Sequence, residues 1–173
     1  MTSAYRAILA LCLVLTLGAC GLSTSDMVPE SVAVNTKHID ASVTIMDVTG
    51  DRETNFGGAI FITNADFKEA LRKTLTEAKI FRSIQDNGGD LLLFGKVKQQ
   101  DQDVQHVLEY RANITVEYLF RQSSDQKIVW DETYASEFSS TAFSGATRTI
   151  VAREGAIREN LAAFLKGISE SWP

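Results

Sequence analysis

The sequence predicts an α+β fold: a two-layer sandwich of a mainly antiparallel sheet, about four strands wide, with two helices packed on one face. Three observations lead there. Residues 108–120 alternate apolar and polar side chains, the period of a strand buried on one side. Residues 67–78 and 150–172 instead repeat their apolar positions at helical spacing. The apolar runs between them are joined by short polar connections, which suit antiparallel neighbours rather than crossovers.

In order along the chain, the first strand places Ile39, Ala41, Val43 and Ile45 on one face and Asp40, Ser42 and Thr44 on the other. The polar stretch "TGDRETNFGG" follows, then the short apolar run "AIFIT". Thr63 and Asp66 have capping-box spacing, and Phe67, Ala70, Leu71, Thr74, Leu75 and Ala78 form the stripe of a first helix. Asn87-Gly88-Gly89 breaks the chain. The next strand carries Leu91, Leu93, Gly95 and Val97 on one face. The one after it carries Leu108, Tyr110, Ala112, Ile114, Val116, Tyr118 and Phe120. Beyond the turn "SSDQK", a further strand aligns Ile128, Trp130, Tyr134 and Phe138. Ile150, Ile157, Leu161, Phe164, Leu165, Ile168 and Trp172 complete a long C-terminal helix. The order is strand, helix, three strands, helix.

Ahead of this body lies the apolar run "AILALCLVLTL", Ala7 to Leu17, preceded by Arg6. A membrane-spanning helix needs roughly 20 apolar residues, so this run has the length of a signal-peptide core instead. Leu17-Gly18-Ala19-Cys20 then resembles the lipobox of bacterial lipoproteins. That resemblance implies cleavage after Ala19 and a diacylglycerol thioether on Cys20, with further acylation giving stable attachment. Gly21, rather than Asp, follows the cysteine. The sorting rule of enteric lipoproteins then implies the outer membrane, facing the periplasm. The expected organisation is a cleaved leader over 1–19, a lipidated cysteine and flexible tether over 20–31, and one α+β domain over 32–173. "GLSTSDMVPES" reads as the tether because it is small, polar and interrupted by Pro29.

Cys12 and Cys20 are the only cysteines, so the processed chain would hold no disulfide, thiolate metal site or cysteine nucleophile. It would carry 16 basic against 22 acidic side chains, a net charge of −6. Such a balance argues against nucleic acid, whose phosphates need clustered Lys and Arg.

Candidate sites are sparse. "DQDVQH" at 101–106 groups Asp101, Asp103 and His106, but a metal needs three or four convergent ligands, and a solvated hairpin tip is expected. No metal site and no cofactor are expected. His38 has no evident nucleophile beside it, and the serines of "EFSSTAFSG" lack an elbow motif. No glycine loop for phosphates is present. Glu154 falls close to the apolar stripe of the last helix, four residues before Arg158, and Gly155 beside it would let another backbone approach closely. By alternation Leu92, Phe94, Leu119 and Val129 fall on the outward face of the sheet. Such a cluster marks a partner or lipid site unless residues 49–62 fold over it.

Residues 65–165, from "ADFKEALRKTL" to "REGAIRENLAAFL", resemble a group of small proteobacterial envelope lipoproteins. The clearest piece is "ATRTIVAREGAIRENLAAFL" after "YASEFSS". The order of elements also resembles the lipopolysaccharide-assembly lipoprotein, the lipoprotein activators of penicillin-binding proteins, and auxiliary lipoproteins of lipid-transport ABC systems. These resemblances imply a binding role without catalysis. The expected partners are the membrane, through the lipid on Cys20, and an envelope protein or a lipid or glycolipid. An auxiliary subunit of a lipid-transport ABC system is the alternative. A periplasmic hydrolase or transferase would require a catalytic constellation that the sequence does not display.

Overall fold

The computed structural model describes residues 22–30, 38–50, 62–106, 108–142 and 144–173. Residues 1–21, with the expected leader and Cys20, and residues 51–61 lie outside them. The elements are β1 (Ile39–Ile45), β2 (Thr49–Gly50), α1 (Asn64–Ala78), β3 (Phe81–Gln85), β4 (Leu91–His106), β5 (Glu109–Gln122), β6 (Ile128–Ser140) and α2 (Gly145–Ser171).

Among the described residues the α+β class and the two helices hold, but the sheet is mixed and six-stranded rather than mainly antiparallel and about four strands wide. Its order is β3-β1-β4-β5-β6, with β2 also beside β4. β1 runs parallel to both β3 and β4, and β2 parallel to β4. Only β4-β5-β6 form the expected antiparallel meander. The two unforeseen strands are short. β2 has two residues and β3 five, "FRSIQ", too few and too irregular to display a period. Parallel pairing also depends on α1 carrying the chain back across the sheet between β1 and β3, which no local pattern records.

β5 is the clearest case of sequence dictating structure. Ala112, Ile114, Val116, Tyr118 and Phe120 are all fully buried, while the residues between them are half-buried on the opposite face. Two expected inner positions fail. Leu108 lies in the turn joining β4 to β5 and is 69 % exposed. Ile128 is 47 % exposed because a bulge shifts the register between Phe120↔Trp130 and Arg121↔Ile128, turning Ile128 to the outer side. "DQDVQH" is not a hairpin tip but the end of β4, with Asp101 opposite Asn113 and Asp103 opposite Arg111.

Both helices cover the inner face. Thr63 caps α1: its hydroxyl accepts from Asp66 N–H at 3.0 Å and donates to the Asp66 carboxylate at 2.6 Å. The helix ends where Lys79 turns left-handed and donates its N–H to Leu75 O. α1 buries Phe67, Leu71 and Leu75, and the Phe67 ring lies 6.4 Å from that of Tyr118. α2 stacks Phe164 on the same Tyr118 at 4.0 Å. One tyrosine thus contacts both helices.

Polar anchors set α2 on the sheet. Asn160, fully buried, accepts from the Tyr118 hydroxyl at 2.7 Å and donates to Tyr134 O at 2.8 Å. Ser136 Oγ donates to Ala156 O, and Trp130 Nε1 donates to Ser171 Oγ. Gly155 packs against the Phe138 ring so tightly that a Cβ there would lie 2.3 Å from it. The close contact is with a side chain of β6, not with a backbone.

Asn160→Leu keeps the branched heavy-atom skeleton but strands the Tyr118 hydroxyl and Tyr134 O. The expected loss is about 2 kcal/mol in urea unfolding, since a buried polar group without a partner costs about 1–3 kcal/mol. Adding Tyr118→Phe to that variant should restore part of the loss. An additive double mutant would show that the pair does not couple.

Candidate functional site

The outer face of the sheet carries the feature most suited to binding. Leu92, Phe94 and Leu119 are each half-buried there, and Phe94 stands directly opposite Leu119. Leu92 pairs across to Arg121, and the Arg121 guanidinium lies 5.2 Å from the Phe94 ring centre. Arg121 in turn faces Ile128, so the bulge delivers Ile128 to this patch. Val129, assigned to the outward face by alternation, is the residue at the bulge and packs against the core. The patch is therefore Leu92, Phe94, Leu119 and Ile128. Strict alternation missed Ile128 because a bulge has no local signature. Residues 51–61, with Phe56, lie outside the described residues, as does Phe61.

The N-terminal segment is the second feature. Expected as a leash, residues 22–30 lie instead across both helices. Met27 is fully buried, Val28 nearly so, and Leu22 packs against the core. Ser23 N–H donates to Glu154 Oε1 at 2.6 Å, Lys73 Nζ to Thr24 Oγ1 at 2.8 Å, and Arg158 Nη1 to Asp26 O at 2.9 Å. Glu154 thus faces the N-terminal segment, while Arg158 reaches its backbone and lies over the Phe138 ring. Glu154 is 6 % exposed, and burial raises its carboxyl above the ordinary range. The Ser23 N–H and Arg158 oppose that shift, while Asp26 adds to it.

Other ionisable groups are committed to structure or to solvent. Asp90 accepts from Ser42 N–H, Ser42 Oγ and Arg82, and the Ser42 bonds hold its carboxyl below the usual range. His38 Nδ1 lies 3.4 Å from Lys79 O. Gln102 on β4 accepts from Arg153 of α2, tying the hairpin to that helix, and from Tyr110 of β5. Among the described residues no three His, Cys, Asp or Glu side chains converge as metal ligands. Glu30 and Glu77 line a cleft of about 180 Å³ with Thr74, whose buried hydroxyl has no partner. Both carboxylates are exposed.

No protein-family model matches the sequence, and no curated protein matches it. Solved structures do share the fold. Protein XCC0632 from Xanthomonas campestris, of the DUF330 family, superposes with a TM-score of 0.65 at 13 % identity, over 86 % of this chain and 91 % of that one. The hypothetical protein CT253 from Chlamydia trachomatis gives 0.54 at 13 % identity, over 75 % and 97 %. The PelC dodecamer from Paraburkholderia phytofirmans gives 0.52 at 13 % identity, over 79 % and 92 %. At these identities the likeness is one of fold.

The raised Glu154 carboxyl makes a signed pH prediction. Its folded value lies above the ordinary 4.5, so its contribution to stability is full below pH 4.5 and lost as pH rises through the folded value. Asp90 acts in the opposite sense and only below the ordinary 3.8. Urea midpoints should therefore fall as pH rises from about 4.5 towards neutrality, and Glu154→Gln should flatten that part of the profile. An unchanged slope in the variant would assign the effect elsewhere.

Proposed function

We propose that this chain is a lipid-anchored accessory protein of the bacterial envelope that works by binding rather than catalysis. Cys20 carries the anchor, the outer membrane is its site, and the body faces the periplasm. Its partner is another envelope protein, or a lipid or glycolipid, taken on the outer sheet face. One observation carries this reading: the inner face is filled by side chains of both helices, while Leu92, Phe94, Leu119 and Ile128 remain partly open on the other face. The lipobox-like Leu17-Gly18-Ala19-Cys20 supports the address. The resemblance of residues 65–165 to small proteobacterial envelope lipoproteins supports the class, as far as analogy can.

A second reading makes the partner another copy of the chain. Among the described residues β6 borders only β5, leaving a 13-residue strand whose second edge is unpaired. Such an edge can accept a strand. PelC, which shares the fold, is a dodecamer.

A photo-crosslinking residue at position 94, expressed in the native host, should give a discrete adduct that Leu119→Asp weakens. Cys20→Ala should move the protein from the membrane to the soluble fraction. Adducts from helix positions but none from position 94 would refute the sheet face as the docking surface. An adduct of twice the chain's mass would favour the second reading.

A further inference from the structure

The path from anchor to body is too short to act as a leash. Leu22 is already packed against the core, and Ser23 and Thr24 are held by Glu154 and Lys73. Only Gly21 stands between Leu22 and Cys20. At about 3.5 Å per residue, the two steps of chain from Leu22 to Cys20 can span at most about 7 Å. The headgroup layer on each side of a bilayer is itself about 6 Å deep. A sulfur bonded to diacylglycerol in that layer leaves no slack by which the body could lift away or turn over. The surface that meets the lipid is therefore the one around Leu22–Thr24, built by α1 and α2.

The charge distribution points the same way. α1 carries 3 basic and 3 acidic side chains, α2 carries 4 basic and 3 acidic, and the segment docked on them adds Asp26 and Glu30, a net of −1 for the helical layer. The rest of the chain after residue 20 carries 9 basic and 14 acidic, a net of −5. Near an anionic surface, within a Debye length of about 8–10 Å, that remainder is repelled more strongly than the helical layer. Val151, one of the few exposed large apolar side chains, lies one turn before Glu154 on α2.

We infer that the helical layer around Leu22–Thr24, Lys73 and Val151 rests on an anionic lipid surface, with the outer sheet face directed away from the membrane. This orientation rests on Cys20 carrying the anchor. It leaves Leu92, Phe94, Leu119 and Ile128 presented to the periplasm rather than to the lipid beneath.

The test uses the full chain, lipidated in cells from its own leader and reconstituted into vesicles of phosphatidylethanolamine and phosphatidylglycerol. Beyond the leader the sequence has no cysteine except Cys20, so a fluorophore can be attached at Glu69→Cys on α1 or at Thr115→Cys on the outer face of β5. A lipid with a nitroxide on its headgroup should quench the first probe several-fold more strongly than the second. Glu77→Cys against Lys96→Cys gives the same comparison should either first variant misfold. Equal quenching on the two faces, which would leave the helical layer free for a protein, overturns the orientation, as does stronger quenching at Thr115. Vesicle flotation judges the anchor separately. If the parent floats and Cys20→Ala does not, the anchor stands and the quenching alone decides. If Cys20→Ala floats equally well, the anchor and this orientation fall together.

Discussion

The rest of the structure depends on one buried amide. Asn160 sits without solvent exposure at the seam between α2 and the sheet, taking the Tyr118 hydroxyl and giving its own protons to backbone oxygens of β5 and β6. A helix of 27 residues whose one face is apolar could settle on the sheet at more than one rotation. Hydrophobic burial is not directional and would distinguish such rotations weakly. A buried amide with fixed donors and acceptors distinguishes them strongly, because any other rotation strands several polar groups at once. With α2 set by Asn160, Gly155 meets Phe138, Gly167 meets Tyr134, and Glu154 turns to the N-terminal segment.

The sheet is similarly governed by small irregularities. One register shift in β4, between Val97 and Gln99, turns Gln100 inward, where its side-chain oxygen accepts from Ile62 N–H at the approach to α1. Another, in β6, keeps Trp130 in the core while sending Ile128 to the outer face. Each bulge changes which residues share a face without changing the pairing of strands. The outer patch and the entry to α1 are both consequences.

The N-terminal segment shows how composition can mislead. "GLSTSDMVPES" has the small, polar residues of a linker, yet Met27 and Val28 supply enough apolar surface to bury, and α1 and α2 supply Lys73, Glu154 and Arg158 to bind its polar atoms. A segment expected to be a free tether packs on both helices instead. Glu154 and Arg158 have the spacing of a helical ion pair, but their nearest strong partners lie in this segment. Spacing along one helix could not reveal a third party more than 100 residues earlier, at Ser23.

The sequence by itself determined whatever has a local period. That includes the alternation of β5, the stripe and cap of α1, the stripe of α2, and the meander of three long strands. Tertiary structure alone decided the parallel placement of β1 between β3 and β4, the two bulges, the docking of residues 22–30 and the membership of the outer patch. The physical reason is range. A pattern of 2 or 3.6 residues is written within one element by the need to bury one face. Pairing order, register shifts and docked segments are settled only when remote groups compete for the same hydrogen bonds and the same buried area.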